Sequence, residues 1–209
     1  MTELVVLRHG ETLWNVAGRQ QGHLDSELSP RGRSQAQLVA QRLADADFHA
    51  LYTSDLGRAR STAEIVGQRT GHPVTPDPRL RERNLGIFQG LTVTEVQERY
   101  PEDYLRFVSG DPDYVIPEGE SIAQRHARTV EVAQKLAARH PGQRVVIVSH
   151  GGPLSSLFRH TLGIDLAAPR RFSLFNASLN TFFVEDGVWS LGMWGDVSHL
   201  QSIGSDDDR

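Results

Sequence analysis

Two histidines, each followed by a glycine, stand directly after short apolar stretches of the sequence. His9 follows Leu4–Leu7 and Arg8, and His150 follows the stretch Arg144–Ser149. An imidazole can act as a nucleophile or carry a proton near neutral pH, so both histidines are candidates for chemistry. Ligands of open α/β sheets bind outside the carboxyl ends of the strands, so the two histidines are expected to face one crevice if their strands are neighbours.

Arginine and glutamate residues near other predicted strand ends indicate which chemistry this is. Arg58 comes shortly after the apolar stretch Ala50–Thr53, and Glu82 lies in the loop sequence RLRERNLG. The planar guanidinium of arginine binds a phosphate through two parallel hydrogen bonds and stays charged. Gly151 opens a predicted helix, whose N-terminal N–H groups also favour an anion. The set points to a bound phosphate, although Glu82 is also compatible with a solvated salt-bridge cluster with its arginine neighbours.

The elements that must position these residues alternate between strands and helices. The predicted strands are Leu4–Leu7, Ala50–Thr53, Arg144–Ser149, and a hairpin of Ser178–Val184 and Val188–Met193 joined at Asp186-Gly187. The predicted helices are one opened by Ser29-Pro30, Leu56 to about Arg69 with Asp55 as its N-cap, Thr92–Tyr100, Ser121 to about His140, and Gly151–Leu162. This alternation predicts an α/β fold with a mostly parallel central sheet and helices on both faces.

Residues 92–120 are predicted to form a small lid excursion beside the sheet. Within them, Pro101–Pro117 is expected to be irregular because its aromatic residues stand among Asp, Gly and Pro. We expect a single domain over residues 1–201 that includes this lid segment. A polar tail over residues 202–209 is expected to follow it.

The composition argues against several other classes of protein. The 209 residues carry a formal net charge of -4, which gives no electrostatic footprint for nucleic acid. The sequence contains no cysteine, which excludes disulfides and thiolate metal sites. No apolar run approaches the ~20 residues of a membrane span, and the apolar start is too short for a signal peptide. We therefore expect a cytoplasmic protein with neither nucleic-acid nor membrane partners.

The same residues form an ordered series of motifs along the chain. The series is LRHGETLWN, then Ser54, Leu56, Arg58, Ala59 and Thr62 at fixed spacing, then Arg81-Glu82, and finally VSHGG. This series resembles the histidine phosphatase superfamily, the family of cofactor-dependent phosphoglycerate mutases, and looks most similar to its bacterial broad-specificity phosphatases. The resemblance extends from Leu4 to Leu200 and implies a phosphoglycerate mutase-like fold.

The resemblance also implies a role for each matching residue. His9 would be the nucleophile that becomes phosphohistidine, and Glu82 would donate a proton to the leaving oxygen. Arg8, Arg58 and His150 would bind the phosphoryl oxygens. The residues implied to line the substrate pocket are Asn15, Gln21, Gly22 and Gly151. The resemblance implies no metal and no cofactor, and a small phosphorylated metabolite as substrate, while a homodimer stays open.

Hydrolysis of small phosphomonoesters is the preferred reading among several alternatives. A phosphoglycerate mutase dependent on 2,3-bisphosphoglycerate would need extra positive charge near the lid. The stretch Arg99–Gly119 instead has five acidic residues against two arginines. A non-catalytic phospholigand-binding module is the alternative of another class, but the expected histidines and arginines are all present. A metal hydrolase with His9, His150 and Glu82 as ligands ranks last, because the neighbouring arginines would repel a cation.

Overall fold

The computed structural model describes residues 1–203, which form one α/β sheet with helices packed on it. The strands are β1 Thr2–Arg8, β2 Ala50–Thr53, β3 Val74–Pro76, β4 Arg144–Ser149, β5 Leu179–Glu185 and β6 Val188–Asp196. The α-helices are α1 Leu13–Val16, α2 Pro30–Ala44, α3 Gly57–Thr70, α4 Val93–Arg99, α5 Pro101–Val108, α6 Ile122–Arg139 and α7 Gly151–Leu162. Short 3-10 helices lie at Pro78–Leu80, Gly86–Phe88 and Ser198–Leu200.

The strand order places the two histidine-bearing strands side by side. The sheet has the order β3-β2-β4-β1-β5-β6. Strands β3, β2, β4 and β1 are parallel, and β5 and β6 add an antiparallel edge. In the β1–β4 register Arg8 lies opposite Ser149, so the chain leaves both strands at the same edge. The predicted mostly parallel sheet is therefore confirmed, with β1 and β4 as neighbours.

Alternating residues of β1 divide the apolar core between the two faces of the sheet. Leu4 and Val6 pack in one cluster with side chains of α6 and α7. Val5 and Leu7 pack in the other with side chains of α2 and α3. A strand buried on both faces is expected to be continuously apolar, as β1 and β4 are. The helices on both faces that the sequence predicted are thus confirmed.

Several local sequence signals act as predicted. Ser29 caps α2, with its hydroxyl accepting from Gly32 N at 2.9 Å and Pro30 in the first turn. Ser121 caps α6 through a hydrogen bond from Gln124 N. Asp186 and Gly187 both have positive φ, at 51° and 80°, as a tight hairpin turn between twisted strands requires. Strand β6 extends three residues beyond the predicted end at Met193.

The predicted N-cap of α3 is wrong. Leu56 is the N-cap and makes no side-chain cap hydrogen bond, while the Asp55 carboxylate binds the Arg81 guanidinium at 2.7 and 2.5 Å. The exposed N–H of Gly57 instead donates to the Asp25 carboxylate at 2.7 Å. An acceptor from a distant loop thus satisfies the helix end, which local spacing does not reveal.

The predicted irregularity of Pro101–Pro117 is wrong for Pro101–Val108, which form α5, and holds for residues 109–117. Pro101 ends α4, as expected, but it is also the first residue of α5, where proline is favoured because its missing N–H has no partner to lose. Tyr114 and Ile116 are buried in a small apolar cluster with Phe88. Residues 92–120 therefore share a small core with the segment 85–91 that precedes them.

No helix within the described residues is long and apolar enough to cross a membrane. The predicted polar tail falls for its greater part on residues 204–209, which lie outside the described part of the chain.

Candidate active site

His9 lies one residue beyond β1 and is fixed by β4 and by the segment that precedes β5. Its N–H donates to Ser149 O at 3.0 Å, continuing the ladder between β1 and β4. Its carbonyl accepts from Asn176 Nδ2 at 3.0 Å. The residue is only 3% exposed, so the imidazole has little freedom to move.

Hydrogen bonding sets which nitrogen of His9 is nucleophilic. Nδ1 lies 2.7 Å from Gly10 O, and because a carbonyl only accepts, Nδ1 must carry the proton. Nε2 then keeps its lone pair when the ring is neutral. Burial, together with the positive charges of Arg58 and Arg8, holds the pKa of His9 well below its usual value. The structure thus presents a neutral imidazole with a free nitrogen beside two cations.

His150 packs against His9 at the end of β4. The two ring centroids are 5.2 Å apart with an edge-to-face arrangement. His150 Nε2 lies 2.8 Å from Ser54 Oγ, and Nδ1 is buried without a partner among the described residues. Burial first, and then the charge of Arg58, lower the pKa of His150 well below its usual value. In this state His150 is neutral, so it becomes cationic only if a bound anion offsets those effects.

Arg58 is a buried guanidinium held by the loop that follows α1. It is 2% exposed, and Nη1 donates to Leu24 O at 2.9 Å and to the Asp25 carboxylate at 3.0 Å. Nη2 donates to Gly22 O at 2.8 Å, while Nε has no partner among the described residues. Arg8, also buried, donates from Nη1 to Leu174 O. Both arginines are therefore preorganised beside His9 before any ligand arrives.

Glu82 lies at the N-terminus of α7, next to His150. Its carboxylate accepts from Gly152 N at 2.8 Å and from its neighbour Arg83 N at 2.7 Å. A Cβ on Gly152 would come 1.9 Å from Glu82 Oε1, so glycine is required for this approach. Within residues 1–203 Glu82 forms no salt bridge, and Arg79 and Arg81 pair with aspartates. Instead, Glu82 is held by backbone donors.

The four residues predicted to line the pocket differ in how they relate to this centre. Gln21 is 8% exposed, and its Oε1 is buried without a partner among residues 1–203. Gly22 accepts from Arg58, and its φ of +54° favours glycine. A Cβ on Gly151 would lie 3.6 Å from Arg8 Nε. Among the described residues the Asn15 side chain hydrogen-bonds only to Thr12.

Gly10 is required by its packing against α2. A Cβ on Gly10 would meet Gly32 O of α2 at 2.5 Å. The N–H of Gly10 donates to Thr62 Oγ1 at 3.1 Å, which ties this loop to α3.

Sequence reasoning missed several polar residues that support or adjoin the site. Asp25 orients Arg58, Ser54 binds His150, and Asn176 fixes the backbone of His9. Arg125 of α6 is buried close to Glu82 and Gly152. Ser54 stood in the quoted motif, but the others carry no local signal, because they come from segments far away in sequence.

Comparisons with known proteins agree with this geometry. The family model of the histidine phosphatase superfamily (branch 1) matches residues 4–197. The chain belongs to that family. Phosphoglycerate mutase-like protein 4 of Arabidopsis thaliana is 42% identical over 206 residues, covering 97% of this chain and 88% of that protein. The metal-independent phosphoserine phosphatase of Arabidopsis thaliana is 40% identical over 207 residues, covering 98% and 85%.

Solved structures show the same fold. YhfR of Bacillus stearothermophilus superposes with a TM-score of 0.88 at 35% identity, covering 96% of this chain and 100% of that chain. The family resemblance and the phosphoglycerate mutase-like fold inferred from the motifs are therefore confirmed.

Proposed function

We propose that this protein is a phosphatase that hydrolyses small phosphomonoesters through a phosphohistidine on His9. The observation that carries the proposal is the neutral, buried imidazole with Nδ1 bonded to Gly10 O and flanked by Arg8 and Arg58. Phosphoryl transfer depends mainly on positioning and on stabilisation of the oxygens that carry charge. The residues at the edge where β1 and β4 end supply both the positioning and the stabilising charge.

The reaction proceeds in two balanced steps. In the first, His9 Nε2 forms a bond to phosphorus while the ester P–O bond breaks, and Glu82 gives its proton to the leaving oxygen. In the second, the Glu82 carboxylate takes a proton from water, whose oxygen bonds to phosphorus as the N–P bond breaks. Inorganic phosphate leaves, and His9 and Glu82 return to the protonation states in which the first step began.

Arg8, Arg58 and His150 act on the three non-bridging oxygens of the phosphoryl group. The arginines supply fixed charge in a site with little water, where it acts strongly. A dianionic phosphate raises the pKa of His150, so that the ring donates as a cation in the complex. Gln21, Gly22, Gly151 and Asn15 are assigned to the pocket wall, with Asn15 the least supported by contacts.

The preference for hydrolysis over mutase chemistry rests on the charge of the segment 92–120. Arg106, one of its two arginines between residues 99 and 119, stacks on the Tyr114 ring at 4.4 Å. The acidic residues of this segment disfavour the second phosphate of a bisphosphate. We propose that this segment acts as a lid within the single domain.

We expect phosphate release from small phosphomonoesters to exceed interconversion of 2- and 3-phosphoglycerate. The measurement is a hydrolysis screen over sugar phosphates, phosphoglycerates, phosphoamino acids and nucleotides, with a mutase assay alongside. Efficient interconversion that depends on 2,3-bisphosphoglycerate, with little release of phosphate, would reverse the assignment.

We expect the activity to be independent of metal ions. Within residues 1–203 no three histidine, aspartate or glutamate side chains are grouped as metal ligands. The arginines beside His9 also disfavour a cation by charge repulsion. Activity is measured after dialysis against EDTA and again with single divalent metals. Loss of most activity in EDTA, restored by one metal, would refute this expectation.

The protein's cytoplasmic location and the open possibility of a homodimer stay predictions from the sequence.

A further inference from the structure

Arg125 has an unusual environment for a buried arginine. It is 8% exposed, and its one hydrogen bond among the described residues runs from Nε to Ser156 Oγ at 3.2 Å. Its two terminal amino groups have no protein acceptor within residues 1–203, although a guanidinium in low dielectric needs partners. The proposed mechanism leaves this charge unused.

Two other buried or half-buried arginines of this protein, Arg159 and Arg128, have both terminal amino groups occupied. Arg159 donates to Asp165 O at 2.5 Å and to Ala168 O at 2.6 Å. Arg128 binds the Glu120 carboxylate and three backbone carbonyls. These arginines tie segments together, whereas no acceptor among residues 1–203 occupies the amino groups of Arg125.

Arg125 lies close to Glu82, the residue proposed to protonate the leaving group. A Cβ built on Gly152 would lie 1.9 Å from Glu82 Oε1 and 2.9 Å from Arg125 Nη1, so both side chains converge over the first turn of α7. Burial lowers the pKa of Arg125, and the Glu82 carboxylate opposes this more than any other charge. The same carboxylate opposes the lowered pKa of Arg58. Glu82 therefore adjoins both the phosphoryl pocket and Arg125.

We propose that Arg125 binds a carboxylate on the leaving group and so selects phosphomonoesters of hydroxy acids or hydroxyamino acids. The inference rests on the proposed function, in which Glu82 protonates the leaving oxygen. A group beside Glu82 then faces the organic part of the substrate.

A carboxylate matches the charge of this subsite better than a second phosphate. One guanidinium offers one charge and a planar pair of donors, which fits a carboxylate. Arg83, the other buried arginine of this region, already donates from Nε to Glu120 O at 2.7 Å and from Nη2 to Tyr114 O at 3.0 Å. The two negative charges of a phosphate dianion at this point would therefore be only partly neutralised.

The test compares substrates that differ by the carboxylate. O-phosphoserine is paired with O-phosphoethanolamine, and 3-phosphoglycerate with glycerol 3-phosphate. In Arg125→Gln the preference for the carboxylated member, taken as the ratio of kcat/KM values, should fall ~10–100-fold, the range of a charge-assisted hydrogen bond. The change should lie mainly in KM, because the carboxylate is bound alike in the ground and transition states.

Control variants separate this role from a structural one. Arg159→Gln removes a buried arginine from the adjacent helix and should leave the substrate preference unchanged. Arg125→Lys keeps the charge but loses the fork, so its preference should lie between those of the wild type and Arg125→Gln. If Arg125→Gln does not fold, Ser156→Ala, which frees the guanidinium, should reduce the preference in the same direction.

The outcomes are distinguishable from failure of the proposed function. If the wild type hydrolyses none of the four esters and no other phosphomonoester, the proposed function fails. If it hydrolyses them without preferring the carboxylated members, or if Arg125→Gln slows both members of each pair equally, the inference on Arg125 alone is overturned. A second result would also overturn it. In that result, Arg125→Gln lowers the kcat/KM ratio of fructose 1,6-bisphosphate to fructose 6-phosphate by a larger factor than the ratios for the carboxylated esters.

Discussion

His9→Ala should abolish turnover, with a loss of at least ~10⁴-fold, as expected when a covalent nucleophile is removed. The variant lacks Nε2, and no other histidine of the site is placed to replace it. His150 is the nearest ring, but its Nε2 is engaged with Ser54 and the residue is the N-cap of α7. The variant should still bind phosphate weakly through Arg8 and Arg58.

The decisive measurement is trapping of the phosphoenzyme. A ³²P-labelled substrate is quenched during the first turnover into alkaline denaturant, because phosphoramidates hydrolyse in acid, and the label is located by peptide mapping. The label should lie on His9 in the wild type and be missing in His9→Ala. His150→Ala should keep the label on His9 while turnover slows by ~10²–10³, by analogy with loss of an oxyanion donor.

A matched control is His140→Ala, which removes a histidine that hydrogen-bonds Tyr52 far from the site. It should leave both turnover and labelling intact. A label on His150, or on no residue of a first turnover, would overturn the assignment of His9 as nucleophile.

The placement of His9 and His150 could be predicted because it follows from short-range patterns. Two continuous apolar stretches, each ended by polar residues, indicate buried parallel strands. Parallel strands that are neighbours end at one edge, so the two histidines are expected to meet there on that condition. The structure fulfils it, because β1 lies beside β4, and the two rings are 5.2 Å apart. The position of Arg58 just after β2 could also be recognised from the sequence, and the family motifs added the roles of Arg58 and Glu82.

The residues that sequence reasoning missed depend on long-range contacts. Asp25 caps α3 from a loop more than thirty positions earlier, so the local candidate Asp55 was chosen wrongly. Arg125 lies on an amphipathic helix, where an arginine usually indicates a solvated face. Its burial depends on how α6 packs on α7, which no sequence window contains. Similarly, Pro101 both ends α4 and begins α5. A proline is compatible with either role, and only the packing around Phe88 shows that a second helix follows.

The charges around His9 also explain why the site is assembled in a buried position. Burial and two arginines both lower the pKa of His9, which keeps Nε2 unprotonated. The same burial leaves the arginines strongly attractive to an entering phosphate, because little solvent screens them. One electrostatic arrangement thus keeps His9 unprotonated and attracts the phosphoryl oxygens. The proton donor lies outside this arrangement, at the start of α7.

Glu82→Gln should slow the cleavage of alkyl phosphates by ~10²–10⁴ in kcat/KM, the usual contribution of a positioned general acid. An alkoxide leaves poorly without a proton, whereas p-nitrophenolate is stable as an anion. The kcat/KM for p-nitrophenyl phosphate should therefore fall much less. Since Glu82 also activates water in the second step, the variant should release a burst of p-nitrophenol equal to the enzyme present and accumulate phosphohistidine.

Glu120→Gln provides the matched control for this experiment. Glu120 is a partly buried carboxylate of the same region, but it binds Arg128 at 2.9 Å and Asn84 N at 2.9 Å. Its loss should lower thermal stability without changing the dependence of kcat/KM on the leaving group. Equal losses for alkyl and p-nitrophenyl esters in Glu82→Gln, with no burst, would show that Glu82 positions the N-terminus of α7 and does not transfer a proton. The hydrogen bond from Gly152 N to Glu82 makes that the strongest competing role.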